Sequence, residues 1–410
     1  MNTHKQEWKK KILFTLLRVY AWPALFLGLT RLLAQDVEMR QEGPYWMQTA
    51  SEVAGIPQGK ILRVTTRGHA ILRGSSGEQV TYKFEERVRA RTRNEAHRLF
   101  GSLTTSVTSR NGVMGLVIAP LTHENVLTQI EVAVPQRIAS VILETQIGDV
   151  EAYDLDGSLQ AVTQAGQIRC DRIRGNFEGR TGGGEIHLGK IGGSVRCMNG
   201  AGSIVVDSAG SDANCQTAGG EIVVHEAAGP LTLETEGGNI QVDRAASTVE
   251  AHTAEGVIEI SQAGGMVIAD TRGGSIVVGS ARGVRCESAA GAIRVKTLSG
   301  PLRVSTAMGA ILAEILAGAH IDDASLSAGS GDVTAILPSN LALSVRARND
   351  TGGNARIFSD FSEIRARTAG FNRPLLVYEG PLVYEGSING GGPLMTINTS
   401  GGIIYVRKMK

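Results

Sequence analysis

The feature that most constrains this chain is an 18-residue period that runs from residue 145 to residue 323. Written in rows of 18, the stretch gives ten similar lines; one reads TAGGEIVVHEAAGPLTLE and the next TEGGNIQVDRAASTVEAH. A short fixed period indicates that each repeat is one supersecondary unit stacked on its neighbours. The rows begin at Thr145, Thr163, Thr181, Asn199, Thr217, Thr235, Thr253, Thr271, Ser288 and Thr306.

The columns of these rows alternate in the way that β-strands do. The sixth position is Ile or Val in every row and the eighth is apolar, as in Ile222 and Val224. A second apolar pair, such as Leu231 and Leu233, follows nine residues later. Apolar residues two apart with polar residues between them are typical of strands. Each row is therefore predicted to form strand, corner, strand and corner. Rows stacked about 4.8 Å apart would make a rod roughly 45 Å long.

Two further columns indicate how the corners are built. The fourth position is Gly in all ten rows, which favours a corner where the backbone takes a positive φ or passes close to its neighbour. Thr heads eight of the ten rows, and such a column predicts a ladder of hydroxyls that satisfy backbone groups at the turn. Thr ranks displayed outward, as in ice-binding solenoids, would need paired columns. The row from Thr271 lacks one residue after Gly283, which predicts a deletion at a corner.

The N-terminal residues resemble a targeting segment. Four lysines fall within the first 11 residues, an apolar stretch follows, and Ala34 precedes Gln35 at a plausible cleavage site. This order predicts a signal peptide over residues 1–34 and export to the periplasm, the cell surface or the extracellular space. An uncleaved anchor is the alternative, although Arg18 and Arg31 make the segment a poor membrane span. No later apolar run is long enough to predict a span in the mature chain.

The repeats divide the remaining chain into three parts. Residues 35–144 are predicted to form an N-terminal β cap region, with a short helix near 93–100 that Thr92 and Glu95 would cap. Residues 145–336 form the solenoid, and residues 337–410 a C-terminal β cap, because an end coil would otherwise expose unpaired backbone. The predicted fold is thus all-β: a single-chain parallel β-solenoid of about ten 18-residue coils with two strands per coil.

The repeat positions of the Cys, Asp and His residues do not predict a metal site or a redox site. Cys170, Cys197, Cys215 and Cys286 all fall at inward positions, which predicts small core residues. Cys197 and Cys215 stack within disulfide range, but neighbouring parallel strands point their side chains the same way, so their oxidation state stays open. A cysteine metal site would need C-x-x-C spacing. Corner residues Asp171, Asp207 and Asp243 alternate with Gly189 and His225, which gives too few oxygens for calcium. No metal and no cofactor are expected.

A polysaccharide-active β-helix is the enzymatic alternative, since such enzymes place carboxylates and basic residues together on one face. The best cluster of that kind consists of Asp154, Asp156, Arg172, Arg174 and Glu178. Outward charges of both signs are also what a solvated sheet face requires. The sequence therefore predicts no catalytic residue and a non-enzymatic protein.

The outer face offers one candidate contact. Val205, Val223 and Val277 are apolar in an otherwise polar outward column, which predicts either a contact stripe or a patch covered by a flanking segment. With a net charge of +1 and a pI near 7.7, the chain lacks the footprint of a nucleic-acid-binding protein. The expected partner is a protein or glycan at the cell envelope, and self-association into a structural envelope assembly is the alternative.

The pattern resembles a family of bacterial β-strand-repeat domains of unknown function that is called "putative adhesin". The stretches that carry the resemblance are Val134-Pro135 leading into Thr145-Gln-Ile-Gly-Asp-Val, the T-x-x-G-x-[IV]-x-V rows, and the ending from Gly390-Gly-Gly to Ile404. They span about residues 58–407. The resemblance implies an exported or envelope-associated β-solenoid with adhesin-like binding or surface display, and it carries no catalytic motif that could be placed on this chain.

Overall fold

The structure is a computed structural model that describes residues 38–54, 61–100, 103–110, 113–120, 126–351, 356–367 and 381–409. The predicted signal peptide, residues 1–34, lies outside the described residues. One helix, α1 (Arg93–Phe100), occurs in them, and Thr92 Oγ1 accepts a hydrogen bond from the Glu95 N–H at 3.2 Å, as the capping box predicts. Nowhere in these ranges is a helix long and apolar enough to cross a membrane.

The strands that precede the repeats are β1 (Glu38–Glu42), β2 (Tyr45–Ala54), β3 (Ile61–Thr66), β4 (His69–Ser75), β5 (Val80–Arg89), β6 (Leu103–Arg110), β7 (Val113–Pro120) and β8 (Val126–Pro135). The first repeats supply β9 (Ser140–Thr145), β10 (Val150–Leu155), β11 (Ser158–Thr163), β12 (Ile168–Ile173), β13 (Phe177–Thr181), β14 (Ile186–Ile191), β15 (Val195–Asn199), β16 (Ile204–Ala209) and β17 (Ala213–Thr217).

The later repeats supply β18 (Ile222–Ala227), β19 (Leu231–Thr235), β20 (Ile240–Ala245), β21 (Val249–Thr253), β22 (Ile258–Ala263), β23 (Val267–Thr271), β24 (Ile276–Val278), β25 (Val284–Ser288), β26 (Ile293–Thr306) and β27 (Ile311–Ala328). The C-terminal strands are β28 (Val333–Leu337), β29 (Leu343–Asn349), β30 (Arg356–Ser359), β31 (Arg365–Ala366), β32 (Leu382–Ile388), β33 (Leu394–Thr399) and β34 (Ile403–Lys408).

The repeats form two stacks of parallel strands, and the predicted β-solenoid is confirmed. Each strand pairs with the equivalent strand one row later, so that Ile222 lies beside Ile204 on one side and Ile240 on the other. The even-numbered strands β10–β24 make one stack, here called face A. The odd-numbered strands β9–β25 make the other, face B, and β26 runs through both.

Coil length follows the predicted period with two exceptions. The row from Thr271 has 17 residues, and its strands keep their register, since Val267 pairs with Val284. The row from Thr306 is longer than the sequence pattern indicated, because Ile311 pairs with Val333, 22 residues later. The extra residues lie at the corner between the two halves of β27, where the register of β26 against β27 shifts and Gly318 takes a φ of +81°.

The core contains an inward column that strand alternation alone does not predict. Face A strands bury their first, third and sixth residues, so that Ile204, Val206 and Ala209 all point inward. The step of three places a bulge before the corner, and it is most evident at Asp154 and Arg172, whose φ angles are 64° and 57°. This added column consists of Leu155, Ile173, Ile191, Ala209, Ala227, Ala245, Ala263 and Ala281.

The Gly column is explained by close approach of neighbouring rungs. None of the ten fourth-position glycines has a φ in the left-handed region. At each of them an added Cβ would lie closer than 3.0 Å to a backbone atom of the preceding rung. In nine of the ten rows, that atom belongs to the carbonyl of the equivalent glycine one row earlier. Gly220, for example, faces the carbonyl of Gly202. Of the two predicted reasons for glycine at this corner, the second is therefore the correct one.

The Thr column forms the predicted hydroxyl ladder and points inward. The Thr163 hydroxyl donates to the Gly148 carbonyl at 2.9 Å and accepts the Gly166 N–H at 3.1 Å, so it joins two rungs. Asn199 substitutes for Thr with its side-chain amide, which donates to the Gly184 carbonyl at 2.7 Å and accepts from the Gly202 N–H at 2.9 Å. Ser288 makes the same two contacts. Buried backbone groups at this corner are thereby satisfied in every row.

At both ends of the solenoid, one coil is supplied by a part of the chain that is distant in sequence. β3 and β4 lie between the coil of β7 and β8 and the first repeat, because β3 pairs with β7 and β9, and β4 with β8 and β10. At the other end, β33 and β34 lie between β27–β28 and β29–β30. Antiparallel strands then complete the ends: β1, β2 and β5 beyond β8, β6 beyond β7, and β32 and β31 beyond β29.

Replacement of the column glycine should destabilise the protein strongly. Gly220→Ala would force its Cβ into the Gly202 carbonyl, and we expect a loss of about 3 kcal/mol in the free energy of unfolding, measured by urea denaturation of the purified chain. Gly219→Ala is the matched control, since its Cβ would meet only the Ala201 carbonyl oxygen at 3.9 Å. Equal effects of the two substitutions would contradict the close-approach explanation.

Removal of a ladder hydroxyl should also be costly. Thr163→Val keeps the shape of the side chain but leaves the Gly148 carbonyl and the Gly166 N–H without a partner, so we expect a loss of about 2 kcal/mol in the same denaturation assay. Thr163→Ser, which preserves the hydroxyl as Ser288 does naturally, should retain most of the stability. A Val variant as stable as the Ser variant would show that the ladder is dispensable.

Candidate functional site

The predicted apolar stripe is only partly continuous. Val205 and Val223 are register partners on neighbouring rungs of face A, and both side chains are half-buried. Val277 lies in the same outward column three rungs further on, beyond Gln241 and Glu259. The structure therefore brings two of the three valines together and leaves the third separate. Their role as a contact surface stays a prediction.

The charged cluster that sequence analysis considered for catalysis is built from ion pairs between neighbouring rungs. Arg172 donates to both carboxylate oxygens of Asp154, at 2.6 and 3.0 Å, and also contacts Asp171. Arg174 pairs with Asp156 at 2.8 Å. These four residues of the predicted cluster share the corner that follows face A.

Glu178 belongs to a different surface from the other four residues of that cluster. It lies on β13 of face B, where it pairs with Arg180 at 2.5 Å.

The hydrogen bond from Arg172 lowers the pKa of Asp154, so that this carboxyl stays ionised at neutral pH. An ionised carboxylate held by arginine cannot act as the general acid that glycoside hydrolysis requires. The positive φ angles of Asp154 and Arg172 belong to the bulge described above.

An open cleft of about 650 Å³ runs along the Thr corner beside face B. One wall is a ladder of polar side chains from successive rungs. The opposite side is lined by small residues such as Ala254, Ala289 and Ala307, whose short side chains leave the cleft open. The ladder consists of Glu234, His252, Asp270, Glu287 and Ser305. Because each rung adds one residue to the wall, the cleft follows the length of the solenoid.

His252 is the central cation of this ladder. Its Nδ1 lies 3.1 Å from Asp270 Oδ2 and its Nε2 lies 3.0 Å from Glu250 Oε1. The hydrogen bond with Asp270 raises the pKa of His252 to about 9, with further help from Glu250, so the imidazole is protonated at neutral pH. The second oxygen of Asp270 is buried and has no hydrogen-bond partner among the described residues. Glu234 and Glu287 leave the cleft with an excess of negative charge.

A second open cleft of about 620 Å³ lies at the corner that follows face A. Its lining includes one column of residues from five successive rungs. In chain order these are Asp207, His225, Asp243, Ser261 and Gly279, and the small Ser261 and Gly279 form its floor. His225 Nδ1 lies 2.7 Å from Asp243 Oδ2, and this hydrogen bond, with a second from Gln241, lowers the pKa of Asp243. Among the described residues, no three or more His, Cys, Asp or Glu side chains are grouped so that they could hold a metal ion.

The four cysteines are free and buried in the described structure. Cys197 and Cys215 are register partners on β15 and β17, and Cys286 occupies the same column, as the row alignment predicts. Burial raises the pKa values of the Cys170, Cys197 and Cys286 thiols above their usual range. Since the thiolate is the reactive form of cysteine, these side chains act as small core residues.

The two clefts were not predicted from the sequence, although the corner column of Asp207, His225 and Asp243 was considered as a calcium site. The His252 and Asp270 pair and the His225 and Asp243 pair are each 18 residues apart, which places them on adjacent rungs. The side chains of the outward columns vary from row to row, and for that reason neither the corner column of Asp207 and His225 nor the ladder that contains His252 was recognised as the wall of a cleft.

Comparisons with known proteins were made at three levels. No family model matches the chain, and no curated protein matches it. Among solved structures, a putative cell adhesion protein from Clostridium sporogenes is 9% identical, with 88% of this chain and 100% of that chain covered and a TM-score of 0.20. A putative adhesin from Bacteroides fragilis is 10% identical, with 88% and 97% covered and a TM-score of 0.23.

A third solved structure has a different name. A putative lipid binding protein from Parabacteroides distasonis is 12% identical, with 70% of this chain and 97% of that chain covered and a TM-score of 0.25. Such low TM-scores mean that the chains do not superpose as wholes, and these matches carry no argument about activity. Two of these structures are named putative cell adhesion protein and putative adhesin, and the second name is also that of the family that the sequence pattern resembles.

Proposed function

We propose that this chain is an exported, non-enzymatic β-solenoid that serves as an adhesin-like binding or surface-display module. The observation that supports the proposal best is the construction of the two clefts, each of which is assembled from side chains of several successive rungs. A surface of this kind suits an extended partner, such as a glycan chain or a strand-like protein segment at the cell envelope. The regular core holds the cleft residues at fixed spacing, which limits the entropy lost on binding.

The charges of the clefts also favour binding over catalysis. In the cleft beside face B, Asp270 is ion-paired with His252, and in the second cleft Asp243 is hydrogen-bonded to His225. Asp154, which lines neither cleft, is ion-paired with Arg172. Proton transfer at an active site instead needs an acid and a base whose pKa values lie near the working pH. The cleft beside face B is open and acidic, so a partner with hydroxyl groups or positive charge would complement it.

Binding by the cleft beside face B can be tested with a neutralised variant. The purified chain would be immobilised and exposed to a panel of cell-envelope glycans and proteins, with affinities measured by biolayer interferometry. We expect at least one ligand whose affinity falls tenfold or more when Glu234, Asp270 and Glu287 are replaced together by Gln, Asn and Gln. The control replaces Glu221 and Glu259, which are exposed on the opposite side of the same rungs, by Gln.

Three outcomes would contradict this proposal. Binding that both variants reduce equally would mean that the cleft is not the contact surface. Filaments in negative-stain images, with no ligand bound, would favour the self-assembling structural protein. Turnover of a polysaccharide that Asp154→Ala abolishes would favour the enzyme.

Parallel variants Val205→Ser and Val223→Ser test the apolar patch, and the proposal for the cleft requires that they leave the affinity unchanged.

A further inference from the structure

The N-terminal cap contains a glutamate in a core position. β5 alternates strictly, with Val80, Tyr82, Phe84 and Val88 buried and the residues between them facing outward. Glu86 occupies the next inward position and is only 1% exposed. In the described residues it is the only Asp, Glu, Lys or Arg with a buried side chain. The apolar column of β5 is therefore interrupted by one carboxyl group.

This carboxyl group is poorly satisfied. Glu86 lies opposite Gln48 on β2 and opposite Thr128 on β8, and its own strand places Phe84 and Val88 on either side. The Thr128 hydroxyl lies 3.4 Å from the Thr66 hydroxyl. Oε2 of Glu86 is buried and has no hydrogen-bond partner among the described residues. A buried carboxylate without a partner is costly, whereas the protonated acid is tolerated far better.

A second unsatisfied group lies in the same cap. Trp46 pairs with Val88, two residues along β5 from Glu86, so Trp46 and Glu86 are diagonal neighbours on adjacent strands. Trp46 packs against a small cluster formed by Val88, Ala90, Ala96 and Phe100. Its Nε1 is buried and lacks a partner in the described structure. A donor and an acceptor that both lack a partner thus belong to diagonally neighbouring residues on β2 and β5.

In the part of the chain that the structure describes, no charged group is paired with Glu86. Glu85 and Arg87 point to the opposite side of β5 and pair with each other at 2.8 Å. On β8 the nearest titratable group, Glu131, is exposed and pairs with Arg73 at 3.5 Å. The charged or titratable side chains of α1 are Arg93, Glu95, His97 and Arg98, of which only Glu95 is partly buried. Burial alone raises the pKa of Glu86 to about 8.

We propose that the N-terminal cap is a proton-controlled closure, in which β1 and β2 stay paired on β5 while Glu86 is protonated and separate from it when that proton is lost. The strands that would move are hydrogen-bonded to the rest of the sheet through β5 alone, since β2 pairs only with β1 and β5 in the described chain. Their other hold on the cap is the packing of Met39 and Trp46 against the small apolar cluster. The solenoid rungs themselves contain no comparable group, so the response is confined to the cap.

The direction of the pH effect follows from linkage. The Glu86 carboxyl has a pKa of about 8 in the closed cap and an ordinary value of 4.5 when exposed. The open form therefore releases its proton first as the pH rises. Closure is tightest below pH 4.5, weakens progressively up to about pH 8 and then stays constant. The equilibrium for opening should change on the order of a thousandfold over this interval.

Trp46 provides a local probe for the experiment. With Trp8 and Trp22 replaced by Phe, it is the only tryptophan in the chain, whether or not the N-terminal segment is cleaved. We would record tryptophan emission from pH 4 to pH 9, together with amide hydrogen exchange of β2 and β5 by mass spectrometry. We expect emission to shift to longer wavelength, and β2 to lose protection, as the pH rises between 4.5 and 8.

Matched variants decide the outcome. Glu86→Gln and the similarly long, apolar Glu86→Met should both give flat emission curves and pH-independent opening of β2 after correction for intrinsic exchange. Glu85→Gln, on the outer side of the same strand, should follow the parent protein. Emission curves of the Gln and Met variants that coincide with that of the parent would overturn the proposal. So would a parent protein whose Trp46 emission does not change over this pH range.

Discussion

The close stacking of one rung on the next is the constraint on which the rest of the structure depends. Parallel strands lie about 4.8 Å apart, and at the Thr corner the backbone comes closer still, so that only glycine fits beneath the carbonyl of the preceding rung. The Thr hydroxyl then satisfies the groups that this approach leaves without a strand partner. A glycine and a hydroxyl three residues apart together set the corner of every row, and the 18-residue period records that requirement.

Much of the fold could be predicted because these contacts repeat. The inward pairs, the Thr ladder and the stacking of Cys197 on Cys215 all follow from the period and from strand alternation. The third inward position of face A, represented by Ala209, was missed because the bulge changes the step from two residues to three. This change of step depends on backbone geometry, which the sequence does not show. Apolar residues like those of the third inward column also occur at outward positions, so the column could not be distinguished by residue type. The 22-residue coil was missed because its additional residues carry no repeat signal.

The ends of the solenoid show a second limit of sequence patterns. The coil of β3 and β4 lies within the predicted N-terminal cap region, but its place between β7–β8 and the first repeat could not be predicted. Order along the axis is fixed by pairings between distant segments, and one sequence does not reveal them. Glu86 was overlooked because a charged residue in a sequence is assigned to the surface unless its burial is known, even where strand alternation places it inward. The outer clefts were equally hidden, since their residues share a spacing but not an identity.

The inner columns of the repeats specify stacking, whereas the outer columns are free to vary. Deletion of one complete row, residues 235–252, tests this separation most directly, because it joins Glu234 to Thr253 and preserves every column. Small-angle X-ray scattering with circular dichroism would measure the product. If the inner columns alone specify stacking, we expect a folded protein with an unchanged fraction of strand, shorter by one rung of about 4.8 Å. A chain that loses its strand signal or aggregates after this deletion would contradict it, because stacking would then depend on more than the repeated columns.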